Sequence, residues 1–216
     1  MRLLLLLLVA LALVAGCGGG DDDAANGDGD TTTAVTECQE VEAPEARAPE
    51  PAEAPTESLT ETTTLTFDTS CGSFTVALDP ASAPKTGASL VALAESGYFD
   101  DTIFHRVVPG FVIQGGDPTQ SGAGGPGYST VDVPSSDGKY TQGVVAMAKS
   151  GVEAPGTAGS QFFVVTGADA GLPPEYAIVG EVTEGMETVM RIDALGVGDG
   201  PPSQPVVVNT VTVGQS

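Results

Sequence analysis

Between residues 64 and 216 the chain alternates short apolar runs with glycine-containing turns. Leu65 and Phe67, then Phe74, Val76 and Leu78, alternate with polar neighbours on either side of Ser70-Cys71-Gly72, a period of two that predicts a β-hairpin. After Pro84 the period lengthens. Leu90, Val91, Leu93 and Ala94 form one helical stripe and Gly97 follows, which predicts a helix over 84–96. Further strands are predicted at 103–107, 112–115, 144–148, 162–165, 177–182 and 206–213, and a second helix at 186–194. Many short strands with two helices and no regular strand–helix alternation predict an antiparallel barrel or sandwich capped by helices.

Upstream the pattern differs. Leu3 to Ala15 is continuously apolar behind Arg2, too short for a spanning helix and of the length of a signal-peptide hydrophobic region. From Cys17 to Thr63 large apolar residues are scarce and Gly, Asp, Glu, Pro and Thr dominate, so this stretch is predicted to be an extended, disordered acidic tether. Three regions result: a signal peptide at 1–16, a tether at 17–63 and one folded domain at 64–216. The chain length suits one ordinary domain with extensions.

Charge removes one class of function. The net charge is −22, shared between a tether with thirteen carboxylates against Arg47 alone and a domain with sixteen against five Lys and Arg. Such a surface repels phosphate backbones, so nucleic acid is not expected as a partner. Two cysteines beyond Cys17 and a single histidine in no ligand spacing make no zinc site. No metal and no cofactor are expected.

Two resemblances sharpen the reading. Val14-Ala15-Gly16-Cys17 resembles the lipobox of bacterial lipoproteins, which implies that Cys17 is acylated and becomes the new N-terminus. The expected location is then the extracytoplasmic side of a cell membrane, held by lipid. In an exported chain Cys38 and Cys71 form an even pair, for which a disulfide is the default and two free thiols the alternative.

The second resemblance lies in Phe104-His105-Arg106-Val107-Val108-Pro109-Gly110-Phe111-Val112-Ile113-Gln114-Gly115-Gly116-Asp117, which is similar to the signature of the cyclophilin family. Gly124-Gly125, Val144-Val145-Ala146-Met147-Ala148, Gly159-Ser160-Gln161-Phe162-Phe163, Gly180-Glu181-Val182 and Gly185-Met186 follow in the family's order. The resemblance implies a closed eight-stranded antiparallel β-barrel capped by two α-helices, and peptidyl-prolyl cis-trans isomerase activity. It assigns Arg106 as the catalytic donor. Phe111, Val112, Phe163 and Leu172 match the walls of the proline pocket, and Tyr176 stands where a pocket histidine is common. Gln114 matches a residue that bonds both peptide and arginine, Gln161 matches a rim contact, and Ala148 and Lys149 match the strand-like contact with substrate.

His105 is adjacent to Arg106, yet bond rotation needs no proton abstraction, and strand alternation aims the two side chains to opposite faces. A structural role is expected for it. The expected partners are proline-containing peptides and unfolded exported proteins, met by a monomer. The alternative is a proline-peptide binding module without significant catalysis, against which Arg106 and Gln114 both speak.

Overall fold

A computed structural model describes residues 37–48 and 51–215. The expected signal peptide and Cys17 lie outside the described residues. The domain starts with the hairpin β1 (Thr63–Thr69) and β2 (Gly72–Leu78). Its register pairs Leu65 with Val76 and Phe67 with Phe74, so the apolar set of both strands points inward. The Phe67 and Phe74 rings stack 4.8 Å apart. Helix α1 (Pro84–Glu95) follows, with proline in its first turn and Leu90, Leu93 and Ala94 buried.

Then come β3 (Thr102–Ile103), β4 (Arg106–Val108), β5 (Val112–Gly115), β6 (Thr130–Val131), β7 (Val144–Met147), β8 (Thr157–Ala158), β9 (Phe162–Val165) and β10 (Ile178–Glu184). Helix α2 (Met186–Asp193) and β11 (Val207–Gln215) complete the chain. Two helices and a mainly β domain agree with the sequence pattern.

The closed eight-stranded barrel does not. Nine strands form one curled antiparallel half-barrel in the order β3-β11-β1-β2-β10-β7-β9-β5-β4, and β6 pairs with β8 apart from it. The stretch expected as a single strand at 103–107 is divided. Thr102 and Ile103 pair with Val208 and Val207 of β11, whereas Arg106, Val107 and Val108 pair with β5. Phe104, fully buried, turns the chain into the core between them. The two edges of the sheet are thus joined through Phe104-His105 by covalent chain, not by a hydrogen-bonded ladder.

Strand β9 is buried on both faces, and its alternation feeds two apolar clusters. Phe162 and Val164 enter the main core with Phe67, Phe74 and Phe104. Phe163 and Val165 face the other way and pack with Val112, Tyr140 and Ala146. The second cluster is the floor of the candidate site.

The tether prediction also needs correction over its second half. The described part of residues 37–62 lies along the domain as a strap. The Cys38 and Cys71 sulfurs are bonded, 2.04 Å apart. The Arg47 guanidinium donates to the carbonyls of Tyr98 and Asp100 at 2.6 and 2.9 Å. The Arg47, Ala52 and Leu59 amides donate to the carbonyls of Pro118, Pro126 and Pro84. Leu59 sits on the buried Gly87 of α1, where an added Cβ would meet its side chain at 2.9 Å. Proline stiffness lowers the entropy lost on docking. A few amide donors, one arginine and one leucine then suffice to fasten the strap.

Candidate active site

The site is laid out by strand register. Arg106 on β4 stands opposite Gln114 on β5, Gln114 opposite Phe163 on β9, and Phe163 opposite Ala146 on β7. Neighbouring strands are about 4.8 Å apart, so these four form one row across the outer face. Arg106 Nη1 donates to Gln114 Oε1 at 3.3 Å, Gln114 Nε2 to Gln161 Oε1 at 3.1 Å, and Gln161 Nε2 to the Gly124 carbonyl at 2.9 Å. The amide chain fixes the orientation of both glutamines.

Phe111 is presented by the β4–β5 turn, where Gly110 takes φ 68° and the Phe111 amide donates to the Val108 carbonyl. Asp193, the last residue of α2, holds this turn from below. Its buried carboxylate accepts from the Gly110 amide at 3.0 and 3.2 Å and from Thr166 Oγ1 at 2.6 Å. The Thr166 amide in turn donates to the Phe111 carbonyl.

A cavity of about 290 Å³ opens over this row. It brings together Arg106, Phe111, Val112, Gln114, Ala148, Lys149, Phe163, Leu172 and Tyr176. Gln161 lies outside it, on a larger neighbouring cavity of about 860 Å³ that shares Gln114, Ala148 and Lys149. One end of the smaller cavity is therefore a charged amide-rich rim and the other is an apolar and aromatic bowl. Fully buried Tyr140 supports the bowl. Its hydroxyl donates to the Tyr176 carbonyl at 2.8 Å and accepts from the Tyr176 amide at 3.0 Å. The Phe163 and Tyr176 rings meet edge to face at 5.7 Å.

Lys149 is the least exposed charge at the rim, its side chain 2% accessible. Its ammonium pairs with Glu175 at 3.2 Å, donates to the Glu153 and Ser150 carbonyls, and lies 5.4 Å from the centre of the Tyr176 ring. All three of its N–H donors are thereby engaged, and the side chain ties two loops together. The Ala148 amide already donates to the Gln161 carbonyl, so it is not free for a ligand.

His105 does not line the cavity. Burial holds its pKa below the ordinary value, so the ring is neutral near pH 7. Behind it Asp117 is fully buried and accepts from the amides of Thr119, Gly122 and Gly124 and from Thr119 Oγ1. Burial alone would raise the Asp117 pKa; the hydrogen bonds outweigh it and hold the carboxyl below its usual range. Gly124 permits this closure, because a Cβ there would collide with that carboxylate. The loop it organises forms a wall of the larger cavity.

Three contributors carry no signal in the sequence: Tyr140, Asp193 and Asp199. Asp199 lies on the exposed segment between α2 and β11, and its carboxylate oxygens take Arg106 Nε at 2.5 Å and Nη2 at 3.0 Å. That hydrogen bond holds the Asp199 pKa below its usual value.

Comparison with known proteins bears on this arrangement. The family model described as cyclophilin type peptidyl-prolyl cis-trans isomerase/CLD matches residues 64–213. The probable peptidyl-prolyl cis-trans isomerase A of Mycobacterium leprae is 38% identical over 178 residues, which cover 73% of this chain and 96% of that protein. The peptidyl-prolyl cis-trans isomerase-like 1 of Emericella nidulans is 44% identical over 134 residues, 60% of this chain and 81% of that one. A crystal structure of a cyclophilin type peptidyl-prolyl cis-trans isomerase from Cryptosporidium parvum aligns with TM-score 0.65 and 30% identity, covering 72% of this chain and 99% of that one. A second structure of that protein, in the presence of the dipeptide Ala-Pro, aligns with the same score at 31% identity.

Proposed function

The chain belongs to the cyclophilin family and is a peptidyl-prolyl cis-trans isomerase, and from that premise we propose that Arg106 drives the rotation while the 290 Å³ bowl holds the proline. The uncatalysed rotation must break amide resonance, a barrier of about 20 kcal/mol that makes it take roughly 10–100 s. Only an interaction stronger for the twisted amide than for either planar isomer lowers that barrier. As the bond twists, the imide nitrogen regains its lone pair. A fixed guanidinium donor aimed at that nitrogen gains strength only then, and no covalent step or proton transfer is needed. Phe111, Val112, Phe163, Leu172 and Tyr176 supply the apolar contact that grips the ring, while Gln114 and Gln161 bond the peptide on the amide-rich side. The observation that carries this reading is the row Arg106–Gln114–Phe163, which sets one oriented cation beside one apolar bowl.

The substrates proposed are proline-containing segments of unfolded exported proteins. The enzyme acts as a monomer on the extracytoplasmic side of the cell membrane, anchored by lipid on Cys17. Support comes from the Val14-Ala15-Gly16-Cys17 box and from the Cys38–Cys71 bond, which suits an oxidising compartment. Arg106→Ala tests the chemistry. It should lower kcat/KM on a succinyl-Ala-Ala-Pro-Phe-type peptide by about 10²–10³ with the fold intact, and a near-wild-type rate refutes the mechanism. Cys17→Ser tests the anchor: the wild-type chain should incorporate a palmitate analogue and the variant should not, and equal labelling refutes acylation at Cys17.

A further inference from the structure

The Arg106 guanidinium carries five N–H donors, and their distribution is unequal. Two, on Nε and Nη2, go side-on to the two oxygens of Asp199, and one on Nη1 goes to Gln114. The remaining two lie one on each terminal nitrogen. Asp199 therefore grips the flank of the fork and leaves its end free. A bidentate pair of this kind fixes the plane of the guanidinium as well as its position, which a single contact to Gln114 at 3.3 Å cannot do.

Asp199 is itself held, although 67% of its side chain is exposed. The carbonyl of the next residue, Gly200, accepts from the Val107 amide at 2.8 Å, which pins the segment to β4 one residue from Arg106. Farther along, the Ser203 amide donates to the Leu195 carbonyl. On the other side Gly196 packs so closely against Pro109 that an added Cβ would lie 2.6 Å from its ring. The segment between α2 and β11 is thus stapled to the strand and turn that carry the site. An ion pair this exposed adds little to stability, so its consequence is geometric.

We propose that Asp199 is a positioning residue that sets the plane of the Arg106 guanidinium so that its free N–H end meets the twisting imide nitrogen. The proposal rests on Arg106 as the donor, and its test separates the two. Without Asp199 the guanidinium can rotate about its side-chain bonds, and misplacing a reacting group by about 1 Å costs up to roughly 10² in rate. Because substrate grip lies with the bowl, the loss falls on kcat.

The experiment measures isomerisation of a proline tetrapeptide by exchange NMR, sensitive enough for slow variants, on the folded chain. Asp199→Ala should lower kcat by about 10- to 30-fold, move KM by less than about threefold, and leave the melting temperature within about 2 °C. Asp199→Glu, which keeps the charge and both oxygens, should recover part of the rate. The Arg106 Nε–H resonance should exchange slowly in the wild type, where Asp199 accepts it, and fast in Asp199→Ala. The deciding arm is the double variant: in an Arg106→Ala background Asp199→Ala should cost nothing more. A kcat within twofold of wild type overturns the proposal, as does an equal proportional loss in the Arg106→Ala background, which would mark a purely structural role. If Asp199→Ala does not fold, Asp199→Asn, which loses the second acceptor but keeps the shape, decides by the same readings. Should Arg106→Ala itself isomerise at the wild-type rate, the donor assignment fails instead.

Discussion

Removing the carboxylate of Asp193 should cost more stability than activity, although the residue lies beneath the turn that carries Phe111. A negative charge at the last position of a helix opposes the helix dipole, by about 0.3–1 kcal/mol. Its presence at the end of α2 is offset by the donors it receives from Gly110 and Thr166. Hydrogen bonds to a charged acceptor are worth about 1.5–3 kcal/mol each. The bond from Thr166 is buried and the one from Gly110 only partly so. Losing both, less the relief of the helix-end charge, leaves about 2–4 kcal/mol for Asp193→Ala. In a domain of this size that lowers the melting temperature by roughly 5–15 °C. Asp193→Asn keeps one acceptor oxygen and removes the charge, so it should recover about half. Denaturant titration followed by circular dichroism measures both, and peptide titration should show binding weakened only about 3- to 10-fold as the Phe111 turn loosens. An Asp193→Ala protein within about 1 kcal/mol of the wild type would refute this account of the turn.

Phe111→Ala should weaken proline-peptide binding by roughly 30- to 150-fold, the loss of about 2–3 kcal/mol of apolar contact, while leaving the Arg106 donor in place; calorimetry with a proline peptide checks it. The folded-state pKa of Asp117 is depressed, so its contribution to stability is complete above its unfolded value near 3.8 and is lost as pH falls through the folded value. Acid denaturation curves of Asp117→Asn should accordingly be flatter than wild type below about pH 4, and superimposable slopes would contradict the assignment. Reducing the Cys38–Cys71 bond in an Arg47→Ala chain should release the strap, so that limited proteolysis cuts first within residues 37–62.

Much of the fold is legible because apolar spacing reports burial directly. Leu65, Phe67, Phe74 and Val76 alternate, and they line the core as they should. The Arg106–Gln114 half of the site row is legible through the stretch from Phe104 to Asp117, where strand, turn and strand are contiguous in sequence. What escapes lies at long range or in composition. Asp199 is 93 positions from Arg106, and nothing local distinguishes it from any acidic residue in a glycine-rich loop. Tyr140 reads as an isolated aromatic until its hydroxyl is seen between the two polar groups of Tyr176. Averaged composition hides the strap: proline and glutamate suggest a free chain, while Arg47 and Leu59 anchor it one contact at a time. The division at Phe104-His105 escapes because a continuous strand-like stretch from Ile103 to Val107 gives no sign of which neighbour each half will pair with.

The two free edges of the half-barrel matter for an enzyme that handles flexible chains. Unfolded polypeptide carries unpaired backbone donors and acceptors, and a long exposed strand would recruit it by sheet extension into aggregates. The edges here are β3, two residues long, and β4, three residues long. On β4 the central outward amide, that of Val107, is already taken by the Gly200 carbonyl. Neither of these short strands offers a client a long run of open partners. At these two strands a flexible chain meets little open backbone, so capture by sheet extension is disfavoured there.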